Sequence, residues 1–142
     1  MNKPRIIIDT SVLVSALRSR RGASYRLLSL LGGEQFALSV SVPLVLEYEE
    51  AAKGLIDPAA WSERGIDDII DYICAVADHQ EIHYLWRPIL KDADDDMVLE
   101  VAVAASCNYI VTYNRTDFHD ADRFGVRVVT AKEFLEEIGE LK

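Results

Sequence analysis

The sequence predicts an α/β fold of three layers, with helices on both faces of a central, mainly parallel sheet of five strands. Short, wholly apolar, β-branched runs are of the kind a parallel sheet buries on both faces. They alternate along the chain with segments of 3.6-residue apolar period, the pattern of right-handed β-α-β crossovers. The length of 142 residues, with 50% apolar and 27% charged side chains, suits one domain over 1–142 with a sizeable core.

The first strand is Arg5 to Ile8, and it stops at Asp9. Thr10 and Ser11 offer N-caps to a helix whose apolar positions are Val12, Leu13, Ala16 and Leu17. A second helix starts at Ser24, turns Leu27, Leu28 and Leu31 inward, and ends at Gly32-Gly33. Phe36 to Val40 is the second strand. Ser41 caps the next helix and Pro43 is tolerated in its first turn; Leu44, Tyr48, Ala51 and Ala52 form its apolar face and Gly54 ends it. Asp57-Pro58 opens further helix, interrupted near Gly65 and resumed from Asp67 through Ile69, Ile70, Ile73 and Val76. Glu81 to Leu85 reads as the third strand and Trp86-Arg87-Pro88 as a loop. From Asp94 a helix apolar nearly all round, Met97 to Ala105, is expected to be buried. Tyr109 to Thr112 and Val126 to Val129 are strands four and five, and Thr130-Ala131-Lys132-Glu133 is a capping box that opens the last helix.

Composition narrows the function. No apolar run approaches the roughly 18 residues that span a bilayer, and the start lacks the apolar stretch of a signal peptide, so a cytoplasmic protein with no membrane association is expected. Cys74 and Cys107 fall in apolar helical patterns and read as reduced core thiols, and no zinc-ligand spacing is present. The 24 Asp and Glu against 15 Lys and Arg argue against coating nucleic acid through bulk positive charge. A nuclease remains possible, because divalent cations held by carboxylates supply the positive charge that phosphates require.

The acids matter by position. Asp9 ends strand one, Glu47 lies early in the helix after strand two, Asp92 and Asp94-Asp95-Asp96 precede or open the buried helix, and Asp117 follows strand four. Each has an ordinary reading alone: a cap, a solvated helix residue, a helix start satisfied by the dipole, a loop residue. Together, all four elements can reach one edge of the sheet, and hard carboxylate oxygens grouped there suit Mg²⁺ or Mn²⁺, which keeps waters for a phosphate to displace.

The chain resembles the PIN domain family, small nucleases named for the PilT N-terminus, and within it the VapC-like toxins of toxin–antitoxin systems. The motifs that carry the resemblance are Arg5-Ile-Ile-Ile-Asp9-Thr-Ser-Val-Leu-Val-Ser-Ala-Leu17 and Pro43-Leu-Val-Leu-Glu47-Tyr-Glu-Glu50. Leu90-Lys-Asp-Ala-Asp-Asp-Asp-Met-Val-Leu-Glu-Val-Ala102 and Tyr109-Ile-Val-Thr-Tyr-Asn-Arg-Thr-Asp-Phe118 follow in the family's order. The resemblance implies that Asp9, Glu47, Asp95 or Asp96, and Asp117 bind metal and carry catalysis, with Thr10, Ser11, Thr112 and Asn114 supporting. Likeness to the toxin branch favours Asp95; counting back from strand four favours Asp96; Asp92 is a weaker candidate. Two departures stand out: Ser11 where the family often has Asn, and Ala93 where it often has Pro. Neither removes a ligand.

The function so implied is metal-dependent hydrolysis of phosphodiester bonds in single-stranded RNA, leaving 5′-phosphate and 3′-hydroxyl ends. It comes with an RNA substrate, a cognate antitoxin and a homodimer. Rivals fare worse. A haloacid-dehalogenase-type phosphatase wants a second acid where Ser11 stands, and a dinucleotide-binding domain wants a Gly-rich turn after strand one. His79, His83 and His119 are scattered and make no triad. The alternative from another class is a catalytically inactive PIN-fold module that binds RNA or protein. Arg18, Arg20, Arg21 and Arg26 concentrate in the first two helices and their connection, as RNA contacts or as a solvated cationic face. Tyr25, Leu28, Leu44, Leu55 and Trp61 supply apolar surface for a dimer or for packing the early helices on the sheet.

Overall fold

The computed structural model describes residues 3–81 and 93–141, with side chains from Met97 onward in the second stretch. Ile6, Ile7 and Ile8 of β1 (Arg5–Ile8) are buried. A strand apolar on both faces can only sit inside a sheet, and β1 is flanked by β2 (Ala37–Val40) on one side and β4 (Tyr109–Val111) on the other. The sheet has five strands in the order β3-β2-β1-β4-β5, completed by β3 (Asp78–His79) and β5 (Arg127–Val129), and every pairing is parallel. Six α-helices accompany it among the described residues: α1 (Thr10–Arg18), α2 (Ala23–Ser29), α3 (Val42–Leu55), α4 (Glu63–Val76), α5 (Ala93–Ala104) and α6 (Ala131–Glu137). The result is the expected three-layer α/β/α arrangement, with a sheet wholly rather than mainly parallel.

Strand order carries a functional consequence. The chain leaves β1 toward β2 and β3 on one side, then returns to build β4 and β5 on the other. The order therefore reverses between β1 and β4, and the carboxyl ends of those two strands flank the crevice where open α/β sheets bind ligands.

Several boundaries differ from expectation, each for a local reason. Asp9, not Thr10 or Ser11, is the N-cap of α1, with extended backbone and no capping bond from its side chain. Gly54 lies inside α3, which ends with Ile56 as C-cap. Asp57-Pro58 makes a turn instead of opening a helix, the Asp57 carboxylate accepting the Ala59 N–H. Ser62 caps α4 by accepting the Gly65 N–H, so Gly65 sits in the first turn and interrupts nothing. The third strand is the two-residue β3 at the sheet edge; Glu81 is outside it, and residues 82–85 lie outside the described residues, as does the expected loop at 86–88. Two 3₁₀ turns, Arg115–Phe118 and Ala121–Phe124, follow β4 and escaped the periodicity argument because each is a single turn. The Thr130–Glu133 capping box forms as expected.

Leu44 is fully buried and belongs to the core, which removes it from the candidate dimer surface. Leu55 is exposed, while Tyr25, Leu28 and Trp61 line a cleft of about 350 Å³ with Ile69 and Tyr72 of α4. Cys107 is buried and Cys74 half-buried, both free, as expected of core thiols, and burial pushes both thiols up in pKa. His79 contacts the Cys74 carbonyl and His119 pairs with Asp120; His83 is outside the described residues. No helix among the described residues is long and apolar enough to cross a membrane.

After α2 the chain turns through Gly32, whose φ of +82° lies in the left-handed region. A Cβ there would stand 2.8 Å from the Tyr72 hydroxyl, which donates to the Leu31 carbonyl. Gly32→Ala therefore combines backbone strain with a clash on an anchored side chain. It is expected to lower unfolding free energy by about 2 kcal/mol in a urea titration, and an unchanged midpoint would show that this turn relaxes freely.

Candidate functional site

Asp9 is the first residue past the apolar run of β1, and its N–H donates to the Val111 carbonyl at 2.9 Å, extending the β1–β4 ladder by one step. The side chain thus emerges at the crevice between the two strands. It is only 6% exposed. A carboxylate so placed is costly unless its oxygens find donors, and two hydroxyls supply them: Ser11 Oγ donates to Asp9 Oδ2 at 2.7 Å and Thr112 Oγ1 donates to the same oxygen at 2.8 Å. Each hydroxyl accepts in turn from the backbone after β4, Ser11 Oγ from the Tyr113 N–H at 3.3 Å and Thr112 Oγ1 from the Asn114 N–H at 3.0 Å. The carboxylate, the first turn of α1 and the β4 loop are locked into one network. Asp9 Oδ1 accepts no hydrogen bond among the described residues.

Glu47 arrives by a different route. Tyr48, beside it on α3, is fully buried and donates its hydroxyl to the Ile8 carbonyl, the last of β1. That bond pins α3 to the end of β1 and holds half-buried Glu47 near the same edge. Burial, with the Asp9 charge adding to it, holds the Tyr48 phenol well above its usual pKa, so it is a hydrogen-bond donor at all physiological pH. The alternation of apolar residues assigns Tyr48 only to the core. Its hydroxyl role has no signal in the sequence beyond adjacency to Glu47.

Asp117 lies in the 3₁₀ turn after β4, exposed, with its N–H bonded to the Asn114 carbonyl. Neighbouring Phe118 is buried and anchors the turn, which packs against α5. Helix α5 packs on β1, β2 and β4 and ends at the opposite edge, where Arg5 reaches the Ala105 carbonyl. Its twelve residues span about 18 Å, which returns its first turn, containing Asp94, Asp95 and Asp96, to the edge that carries Asp9. The side chains of these three and the whole of Asp92 lie outside the described residues.

Thr10 is half-buried in the first turn of α1. The four arginines are all exposed, and three of them are separated from Asp9: α1 carries the chain about 13 Å before Arg18, Arg20 and Arg21 are reached. Arg18 donates to the Leu55 carbonyl, Arg20 stacks on Trp61 with 4.9 Å to the ring centroid, and Arg26 is paired with Glu140 at 2.8 Å.

The donor set consists of hard carboxylate and hydroxyl oxygens. Among the described residues, no three acidic, histidine or cysteine side chains group closely enough to cage a metal ion. Mg²⁺ does not need a cage, since it binds through one or two carboxylates and keeps several waters; Asp9 at the crevice between β1 and β4, with one oxygen accepting no hydrogen bond among the described residues, fits that requirement.

The fold has a solved relative. VapBC2 from Rickettsia felis, solved bound to a DNA fragment from their promoter, superposes with a TM-score of 0.58 at 13% sequence identity, over 87% of this chain and 96% of that one. No curated protein sequence matches the chain. The model of the PIN domain, a family whose members are generally nucleases, matches residues 5–116, the span from the first residue of β1 into the 3₁₀ turn after β4. With most of its length matched, this chain belongs to the PIN domain family.

Proposed function

We propose that the protein is a divalent-metal-dependent endoribonuclease acting on single-stranded RNA, the toxin of a toxin–antitoxin pair, with residues 1–142 as a single nuclease domain. The observation that carries the reading is Asp9: a nearly buried carboxylate at the strand-order reversal, one oxygen fixed by two hydroxyls and the other accepting no hydrogen bond among the described residues. Family membership supports nuclease chemistry, and likeness in fold to VapBC2 supports the toxin assignment with an antitoxin as partner.

In this reading Asp9, Glu47, Asp117 and one of Asp95 and Asp96 hold Mg²⁺ or Mn²⁺. Bound there, the cation supplies positive charge for the phosphodiester and lowers the pKa of a water. The protein's own part is positioning. Ser11 and Thr112 fix the Asp9 carboxylate, Tyr48 fixes the helix that carries Glu47, and the first-turn N–H groups of α5 face the acids with the positive end of the helix dipole. The like charges of the acids exclude phosphate until a cation binds, which makes hydrolysis conditional on metal.

Three outcomes are expected. RNA cleavage by the purified protein depends on Mg²⁺ or Mn²⁺ and disappears on chelation or in Asp9→Asn, whose amide keeps the volume and both hydroxyl bonds but loses the charge. Activity that survives excess EDTA would overturn the metal mechanism, and no cleavage under any metal would leave the non-catalytic module. Thr112→Val, isosteric and fully buried, deprives Asp9 of a donor and the Asn114 N–H of its acceptor. It is expected to cost about 2 kcal/mol in a denaturant melt and to reduce cleavage as well. Finally, replacing Arg20 and Arg21 by Ala is expected to weaken RNA binding and to flatten the dependence of log K on log salt by about 0.7 for each phosphate left without its cation. An unchanged slope would make these arginines a solvated face.

A further inference from the structure

We infer that Tyr113 is a stacking platform for a base of the bound single strand, a substrate-positioning role that rests on the ribonuclease reading above. Tyr113 directly follows Thr112, and its N–H donates to Ser11 Oγ, which itself donates to Asp9 Oδ2. The backbone of this tyrosine is therefore two hydrogen bonds from the carboxylate. Its other end is held as well: the phenolic oxygen shares a 2.6 Å hydrogen bond with Ser24 Oγ, and Ser24 is buried in α2.

Between these two anchors the residue remains 46% exposed. The other exposed aromatics among the described residues are differently engaged. Tyr72 is tied by its hydroxyl to the Leu31 carbonyl beside the α2–α4 cleft, and Phe124 lies under the Arg123 guanidinium. Neither bonds to a partner of Asp9. An aromatic ring open to solvent but fixed at backbone and hydroxyl loses little conformational freedom when a flat ligand covers it. Every nucleobase has a π-face, so such a ring binds single strands without choosing among sequences.

The chemistry around the ring favours a base over other occupants. The acids at the crevice repel a phosphate that lacks a cation; Arg18, Arg20 and Arg21 are reached only about 13 Å from Asp9 along α1, and Arg115, two residues from Tyr113, is paired with Glu133 at 3.0 Å. With that cation already paired, the uncharged part of the nucleotide is what the exposed ring can attract near the site. A base stacked on Tyr113 would place the adjacent phosphodiester toward Asp9, since a nucleotide carries both groups on one sugar.

The test is steady-state cleavage of an unstructured RNA by the full chain with Mg²⁺ or Mn²⁺, comparing wild type with Tyr113→Ala, Tyr113→Leu and Tyr113→Trp. Loss of one stacked base is expected to raise KM about tenfold in the Ala and Leu variants while kcat stays within about twofold. The Trp variant, which keeps a π-face, should recover most of the loss. On an RNA whose bases flanking the cut are replaced one at a time by abasic sugars, one position should erase the difference between wild type and Tyr113→Leu. Tyr113→Leu keeps the apolar bulk over α2 and carries the comparison if Tyr113→Ala does not fold. An unchanged KM, a loss confined to kcat, or an equal penalty on every abasic substrate would overturn the stacking role while leaving the nuclease reading in place. A wild-type protein that cleaves no RNA would overturn both.

Discussion

The structure depends on a single constraint: β1 has no polar residue to show to water between Arg5 and Asp9, so it must be the middle of the sheet. Both neighbours are then parallel strands, every connection is a crossover, and helices must cover both faces. The chain first tolerates polarity where β1 runs out, and there it places a carboxylate. The ladder does not end with the strand, because the Asp9 N–H still bonds to Val111. That extra step fixes the backbone of Asp9 relative to β4 and brings Thr112 within reach of its side chain. One apolar run therefore selects the architecture, the position of the crevice and the polar group that opens into it.

Keeping that carboxylate nearly buried needs compensation, and the protein supplies it with neutral donors in place of a cation. No Lys or Arg pairs with Asp9 among the described residues. An arginine there would satisfy the charge and also occupy the space a metal ion needs. Two hydroxyls on one oxygen stabilise the carboxylate without neutralising it, and among the described residues the second oxygen accepts no hydrogen bond. The hydroxyls are oriented by loop N–H groups, so each has one donor and one acceptor role and no freedom to turn away. At Ser11, where the family often has Asn, the hydroxyl both donates to Asp9 and accepts from the Tyr113 N–H.

What could be read from the sequence follows the strength of the local signal. The first strand, the Ser41 cap, the buried α5 and the Thr130–Glu133 box rest on patterns several residues long, and the structure has each of them. The third strand was legible only as a place, because two paired residues at an edge have neither length nor alternation, and Asp78 and His79 are exposed. Gly65 misled because a glycine in a helical pattern signals a stop, whereas here its N–H is the group that Ser62 caps. At the site, the acids were visible as residue types beside strand ends, and the sheet order that makes their edge a crevice was not. Hydrogen bonds between Thr112 and Asp9, or Tyr48 and Ile8, join positions 103 and 40 residues apart; no window along one sequence contains both partners.

Electrostatics divides the molecule in the same direction as the topology. Several of the cations outside α1 are neutralised locally: Arg26 by Glu140, Arg115 by Glu133, Arg127 by Glu137, and Lys53 among Glu49, Glu63 and Asp67. These pairs tie α2 to the segment after α6, the 3₁₀ turn and β5 to α6, and α3 to α4, at solvent-accessible positions where each contributes little to stability. Their effect on the field is larger than on the fold, because they leave Arg18, Arg20 and Arg21 as a cluster of positive charge without an ion pair among the described residues. A strand drawn first to that end of α1 would lie along the helix with its far end toward the acids. The net charge of −9 then opposes approach away from this path. On the proposed ribonuclease reading, the acidic surface suppresses non-specific adhesion of RNA and leaves the face that carries these arginines as the path of approach.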